Sequence, residues 1–425
     1  MSEHPQGFFL FPANEVYSRN HDVDYPFRQE SNFYYLSGFD EPGSWLVLAP
    51  QSEGSKKYKT ILFVQERDKT RELWEGERYG VDRAISVFGA DEAYLTKDFE
   101  KKLPDLLLGV EEIFYRTGFN EAVDRMVLAH NRRSMEMMGR TGRGMASIHD
   151  WKRVLGELRL YKAPEEIENL RAAGKASAEA HRVLMETLRP GMTEFDAESI
   201  LEFEMKRRGC RRMGYGTIAA GGSNATCLHY TANNEVLKSG DLLLVDAGGE
   251  SDYYTADITR TFPIGKKFSP QQKAIYELVL SAQKKGIDMV KPGIKLWDIH
   301  EAVTLVLAQG LVDLGILKGK PEESIQNGAL KRFWPHGTGH WLGMDVHDMG
   351  AYKIGKEQRT LEPGMVFTVE PGLYFQLDDR DYPDEYRGIG IRIEDNILVT
   401  QKGYENFTPL APKEVVDIES LRNSV

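Results

Sequence analysis

The chain has 425 residues, of which 41% are hydrophobic, and a formal net charge of −11. That length exceeds what one hydrophobic core normally serves, so two domains are expected. The acidic balance argues against nucleic acid or an anionic membrane as the main partner and favours a small molecule or a peptide.

From the N-terminus, the apolar stretch Phe8 to Phe11 is far too short for the core of an export signal. No later run approaches the roughly 20 apolar residues of a membrane span, so no membrane association is expected. Between Asn32 and about Phe88, short apolar stretches separated by turns, FYYLSGF, WLVLAP and TILFVQ, predict strands of a mixed sheet. A helical pattern follows from about Thr96 to Leu108. The mostly basic stretch Arg132 to Arg153 reads as a solvated linker face closing this region. Only Cys210 and Cys227 occur, so no disulfide framework is expected, and the composition suits the reducing cytoplasm.

A long helix opens at Ala163-Pro164-Glu165-Glu166, where proline fits the first turn and the glutamates complement the helix dipole, and runs to about Leu188. The change of rhythm between Trp151 and Tyr161 divides the chain into domains 1–155 and 156–425. Inside the second, Leu188-Arg189-Pro190-Gly191-Met192-Thr193-Glu194-Phe195-Asp196 echoes Val290-Lys291-Pro292-Gly293-Ile294-Lys295-Leu296-Trp297-Asp298. Each copy lies between helical stretches and is followed by acidic strand pairs. Two similar halves about a pseudo-two-fold axis would explain this, although Pro-Gly also punctuates unrelated helices.

The apolar run Leu242-Leu243-Leu244-Val245 ends in Asp246, and Asp257 follows in a second strand joined to it by a turn. Glu370 and Glu394 occupy the corresponding places on two apolar strands near the C-terminus. Burying an isolated carboxylate costs several kcal/mol, so acids so placed need a cation or a proton. Between the pairs, the glycine-rich run Pro335 to Asp348 can bring an imidazole close, with His340 the expected nitrogen ligand. Four carboxylates are neutralised by two divalent cations rather than one. Mostly oxygen ligation with a single nitrogen suits Mn2+ best, with Co2+, Fe2+ and Zn2+ open. Taken singly, each acid could be a turn, cap or ion-pair residue.

VDAGGE, DITRTF, HGTGHWLGMDVHD, FTVEPGLY and GIRIEDN, in that order between Pro164 and Pro409, resemble the pita-bread metallopeptidases, the superfamily of methionine aminopeptidase, prolidase and aminopeptidase P. YPFRQESNFYYLSGFDEPGSWLVL and ERDKTRELWEGERYG are similar to the N-terminal domain of the aminopeptidase P (Xaa-Pro aminopeptidase) family. The compact stretch Tyr374 to Arg392 is more similar to that family than to eukaryotic prolidases. The resemblance implies an α+β fold: an N-terminal mixed-sheet α/β domain, then a C-terminal pita-bread domain with pseudo-two-fold halves. It implies cleavage of the bond between an N-terminal residue and a following proline, by a hydroxide held between two metals. Asp246 would bind one metal, His340 and Glu370 the other, and Asp257 and Glu394 would bridge them. Glu370 would shuttle the proton to the leaving nitrogen.

The resemblance further implies catalytic or substrate-contacting roles for His229 and His347, and a substrate contact for His336. His229, His347 and Tyr386 would line the proline pocket. Arg392 is read as turned by strand alternation to the face opposite Glu394, acting on the site through a neighbour. Trp74 matches a tryptophan lent by a neighbouring subunit, which requires a homodimer or homotetramer. The rival readings are a dipeptide-restricted prolidase and a peptide-binding module without catalysis.

Overall fold

The computed structural model describes residues 4, 6–51, 57–142, 144 and 147–423, in two compact units, Met1–Leu155 and Gly156–Val425. The first unit is built on a six-stranded mixed sheet. Its order is Glu92–Leu95, Tyr58–Val64, Trp45–Pro50, Gly7–Pro12, Glu112–Phe114 and Ser147–His149. The short apolar run at Phe8 is thus a central strand, buried along its whole length, as a strand covered on both faces must be. WLVLAP supplies one of its neighbours, and TILFVQ pairs antiparallel with WLVLAP on the far side, from Trp45↔Phe63 to Pro50↔Tyr58.

Three expectations for this unit fail, each because end signals outweigh local composition. FYYLSGF is not a strand: Ser31–Ser37 is a helix, started by Glu30, whose carboxylate accepts the Phe33 N–H at 2.7 Å. Left-handed Gly38 ends it, with φ 63°. Between Val64 and Phe88 the chain likewise forms helices, Lys69–Glu75 and Gly80–Ser86, the first capped by Asp68. The basic stretch from Arg132 is no linker either. Its part up to Thr141 is the second half of the helix Glu121–Thr141, bounded by an Asn120 cap and by left-handed Gly142; farther on, Ser147–His149 is the last strand of the sheet, and residues 143, 145 and 146 lie outside the described residues.

In the second unit the long helix runs Pro164–Thr187, and Glu166 accepts the Ala163 N–H at 2.8 Å at its start. The echo is structural. Gly191 and Gly293 both turn the chain in the left-handed region, at φ 90° and 91°, where glycine alone is unstrained. Gly191 N–H donates to Leu237 C=O and Leu237 N–H returns to Met192 C=O, at 2.9 and 2.8 Å. Gly293, Leu361 and Ile294 repeat the pattern at 3.0 and 2.7 Å. Each turn feeds a helix, Glu194–Arg207 or Leu296–Asp313, whose start is bonded back by Asp196 or Asp298. Each half carries a three-stranded sheet, one centred on Leu242–Asp246 and the other on Asp395–Val399.

The halves meet along residues 257–261 and 392–396. Glu394 N–H donates to Thr259 C=O at 3.0 Å, and Asp257 N–H to Asn396 Oδ1 at 3.0 Å. Behind this seam Arg260 and Asp395, both wholly buried, pair at 2.6 Å. Lys413 and Gln283 complete the ring around Asp395 at 2.5 and 2.8 Å. Burial alone would raise the Asp395 pKa, but the Arg260 and Lys413 charges outweigh it and hold the group below the usual carboxylate range.

Removing one member of a buried pair typically costs about 3–5 kcal/mol, so Asp395→Ala should lose that much in urea unfolding followed by circular dichroism. A depressed carboxylate stabilises the fold fully above its unfolded pKa, about 3.9. The gap between wild type and variant should therefore be constant near neutrality and narrow as the pH falls below about 4.

Candidate metal centre

Asp246 ends the strand Leu242–Asp246. The other three acids stand beside strands rather than within them: Asp257 before Thr259–Pro263, Glu370 after Val366–Val369, and Glu394 between Gly390–Arg392 and Asp395–Val399. The sequence expectation of four acids on four strands is corrected to that extent. Where pairing stops, side chains can leave the pleat and converge from both halves onto the seam.

His340 arrives on a segment laid along Val366–Val369. Thr368 N–H donates to His340 C=O at 2.9 Å, Leu342 N–H to Val366 C=O at 3.0 Å, and Glu370 N–H to Thr338 C=O at 2.8 Å. The approach is so close that a Cβ on Gly339 would lie 1.8 Å from the Thr368 carbonyl oxygen. His340 Nδ1 faces Trp341 C=O at 3.1 Å. That contact fixes the ring and turns Nε2 toward the acids, 3.3 Å from Asp257 Oδ2 and 3.7 Å from Glu370 Oε1.

Ligand atoms of Asp257, His340 and Glu394 lie within 4.8 Å of one another, close enough that a small adjustment brings all three to one cation. Glu394 Oε1 is buried and meets no hydrogen-bond partner among the described residues. A carboxylate oxygen left that way is costly, and a cation satisfies it. Tyr215, which the sequence reading missed, donates its single hydroxyl between Asp246 Oδ1 and Asp257 Oδ1, 2.6 Å from each.

The electrostatics are those of too many acids in too little water. Burial, then the charges of Asp257, Glu370 and Asp246, push Glu394 far above the carboxylate range. Burial raises Glu370 to about 7, against the lowering charges of His340 and Arg392. Burial and the Asp246 charge raise Asp257. Asp246 alone is lowered, because Arg392 and the Tyr215 hydroxyl outweigh burial. His340 is pushed to about 9: burial opposes its charge, but the hydrogen bond and charge of Asp257 prevail.

Arg392 corrects a second expectation. It does not turn away from the site but donates from Nη2 to Asp246 Oδ2 at 2.7 Å and from Nη1 to Tyr374 Oη at 2.9 Å. Residues two apart along a strand share a face. Tyr374 also meets His336 Nε2 at 2.9 Å, and His336, lowered to about 4 by burial and the Arg392 charge, sits 3.7 Å from Glu370. The His347 ring stands edge-on to His340, with centroids 4.3 Å apart. His229 is exposed. Tyr386 instead packs on Phe375, at 5.8 Å between rings. Trp74 belongs to the first unit, with 84% of its surface exposed.

Two supports carry no motif signal. Buried Glu194 accepts Gly221 N–H and Glu235 N–H at 2.7 and 3.0 Å and the Tyr230 hydroxyl at 2.7 Å, holding the segment with His229. Buried Arg159 and Lys162 grip Asp348, next to His347, while Arg159 also reaches Asp345 at 2.8 Å.

A duplicated frame with a buried, oxygen-rich donor cluster on its seam defines a metal-dependent hydrolase of the pita-bread type. Residues 168–401 match metallopeptidase family M24, and residues 1–115 match the aminopeptidase P N-terminal domain. The chain belongs to metallopeptidase family M24, among its aminopeptidase P members. It is 44% identical to an Xaa-Pro aminopeptidase of Haemophilus influenzae, over 95% of this chain and 90% of that protein. It is 42% identical to the Escherichia coli Xaa-Pro aminopeptidase, over 97% and 92%. The solved structure of Pseudomonas aeruginosa aminopeptidase PepP superposes with a TM-score of 0.92 at 43% identity, covering 99% of this chain and 94% of that one.

Because burial and the neighbouring acids raise both Glu394 and Glu370 above the usual carboxylate range, uptake of a divalent cation should release protons. Calorimetry of Mn2+ binding at pH 7, in buffers of different ionisation enthalpy, should show net proton release. Affinity should rise with pH through about 7, the level to which Glu370 is raised. Proton-neutral, pH-independent binding would contradict this account of the cluster.

Proposed function

We propose that this protein is an Xaa-Pro aminopeptidase, hydrolysing the peptide bond between an N-terminal residue and a following proline with two divalent cations. The observation that carries the metal reading is the buried, unpartnered Oε1 of Glu394 among converging donors. The substrate reading rests on the relatives named Xaa-Pro aminopeptidase along nearly the whole chain. Asp246, Asp257, His340, Glu370 and Glu394 would hold the cations. Four carboxylates balanced by two divalent ions support that number, and the single nitrogen among oxygens favours Mn2+ over Zn2+. Bound there, divalent cations lower the pKa of water toward neutrality and polarise the scissile carbonyl.

The chain's own residues do the rest. Glu370 takes the proton of the attacking water and delivers it to the proline nitrogen, so that the amine leaves neutral. Its place between His340 and His336, 3.7 Å from each, supports this. His229 and His347 orient the substrate around the reacting carbonyl. His336, Tyr374 and Arg392 form one hydrogen-bonded wall against which the pyrrolidine ring is positioned. Tyr386, packed on Phe375, would line the proline pocket from a neighbouring segment.

The high exposure of Trp74 supports its insertion into a neighbouring subunit of a homodimer or homotetramer. Two unpaired cysteines, Cys210 and Cys227, suit the cytoplasm. Among the described residues, no helix is long and apolar enough to cross a membrane.

Glu370→Gln should lower kcat by about 10²–10⁴-fold, the range for a lost general acid–base, while elemental analysis still finds bound metal. Undiminished turnover would remove Glu370 from proton transfer. Assayed side by side, Xaa-Pro-Yaa tripeptides should be cleaved efficiently. Hydrolysis confined to Xaa-Pro dipeptides would instead establish a prolidase.

A further inference from the structure

Outside the donor cluster, Glu194 is a buried carboxylate with no part in the proton transfer. It opens the helix Glu194–Arg207 with none of its surface exposed. Four neutral donors satisfy it. Oε1 accepts Gly221 N–H at 2.7 Å and an Asn224 Nδ2 hydrogen at 2.9 Å, while Oε2 accepts the Tyr230 hydroxyl at 2.7 Å and Glu235 N–H at 3.0 Å. An ionised carboxylate is acceptor-only and takes that many, and its removal from water is unfavourable unless they are made. The Glu194 N–H in turn donates to Glu235 C=O at 2.9 Å. One side chain thus gathers both ends of segment 221–235 together with the residue next to His229.

The duplicated frame does not itself require this carboxylate. In the second half the same left-handed turn, at Gly293, feeds the helix Leu296–Asp313, and Leu296 stands where Glu194 stands in the first. What Glu194 serves is the segment that follows, which crosses to the second half. The Ala225 carbonyl lies so close to Gly390 that a Cβ there would be 2.1 Å from its oxygen, and Gln376 Nε2 donates to Thr226 C=O at 3.1 Å. Leu228 and Tyr230, on either side of His229, pack on a cluster that includes Tyr374, whose hydroxyl is shared by His336 and Arg392. Among the described residues no hydrogen bond holds the His229 ring. Its place is therefore set by the backbone that Glu194 gathers.

We propose that Glu194 is a positioning residue of the reaction: by gathering segment 221–235 it holds His229 at the distance and angle from which His229 orients the scissile carbonyl. The inference rests on the Xaa-Pro aminopeptidase reading and on the role of His229 within it, and deepens both. Glu194 touches neither the cation donors nor the substrate, so its effect passes through His229. A misplacement of about 1 Å caused by so remote a change costs up to about 100-fold in rate. Glutamine is the sharpest probe, because its amide oxygen keeps the acceptor places of one carboxylate oxygen while its NH2 is set against the donors of the other. The segment then loosens with no change in side-chain volume.

The test is a double-mutant cycle on the Mn2+-loaded enzyme with Ala-Pro-Ala as substrate. Glu194→Gln should lower kcat by about 10- to 100-fold when His229 is present, and by less than about twofold in the His229→Ala background. Tyr230→Phe, which removes one of the four donors, should show the same dependence on His229 with a smaller loss. A merely structural role would reduce the folded, metal-loaded fraction, and the loss would then be the same with and without His229. Equal losses in the two backgrounds, or undiminished kcat in Glu194→Gln, would overturn the assignment. If Glu194→Gln fails to fold, the Tyr230→Phe cycle decides by the same criterion. Full activity of His229→Ala would overturn the role of His229 and this assignment with it, whereas no turnover of Ala-Pro-Ala by the wild type would overturn the activity reading itself.

Discussion

Everything around the centre answers one difficulty, the mutual repulsion of four carboxylates gathered out of water. Arg392 neutralises Asp246, and Tyr215 shares its hydroxyl hydrogen bond between Asp246 and Asp257. Those devices leave Glu394 and Glu370 without a comparable donor of charge, and both are raised well above the carboxylate range, while Asp257 is raised in spite of the Tyr215 hydrogen bond. The residual demand for positive charge is therefore localised on one side of the cluster, next to His340. A cation-binding site of this kind is stored strain in electrostatic form. The fold tolerates it because neighbouring interactions over-determine the backbone.

The over-determination comes from duplication. Each half supplies the same turn, the same two helices and the same kind of sheet, and each brings acids to the points where its strands stop. The seam is then fixed from behind by Arg260, which donates to Glu394 C=O at 2.5 Å as well as pairing with Asp395. One buried guanidinium so fixes the backbone of a donor from the second half while sitting on a strand of the first. Backbone hydrogen bonds across the seam place the donors, contacts to Tyr215, Arg392 and Thr259 orient three of their carboxylates, and Glu394 Oε1 is left without a partner among the described residues.

How much of this was legible in the sequence depends on which force set each feature. Asp246, Asp257, His340, Glu370 and Glu394 could be read because an acid after an apolar run is rarely stable without a cation or a proton, and because glycines beside His340 announce close approach. The turn at Gly191 and its echo at Gly293 were legible for a similar reason, since both need a left-handed backbone. FYYLSGF misled because its aromatic content resembles a strand, while a glutamate cap and a glycine stop decided the outcome. Arg392 was misplaced by an error of period, as two residues along a strand return to the same face. Tyr215 and Glu194 were invisible. A tyrosine between two glycines, or a glutamate opening a helix, acquires its role only from partners far away in sequence.

The same holds for Arg159, Lys162 and Asp348, and their burial is the more instructive case. Three ionised groups, each with a side chain 1% exposed, are poor sources of net stability, because desolvation offsets most of their attraction. Apolar residues of equal volume would serve the core at least as well. What apolar packing would not supply is direction. The Asp348 carboxylate is gripped from two sides and lies so close to Gly343 that a Cβ there would meet it at 2.0 Å. The turn carrying His347 is thereby held to one conformation just after the segment that delivers His340. Charges are buried here where His340 of the donor cluster and His347, ring against ring with it, share a loop, and where an error of an ångström in either would be felt by both.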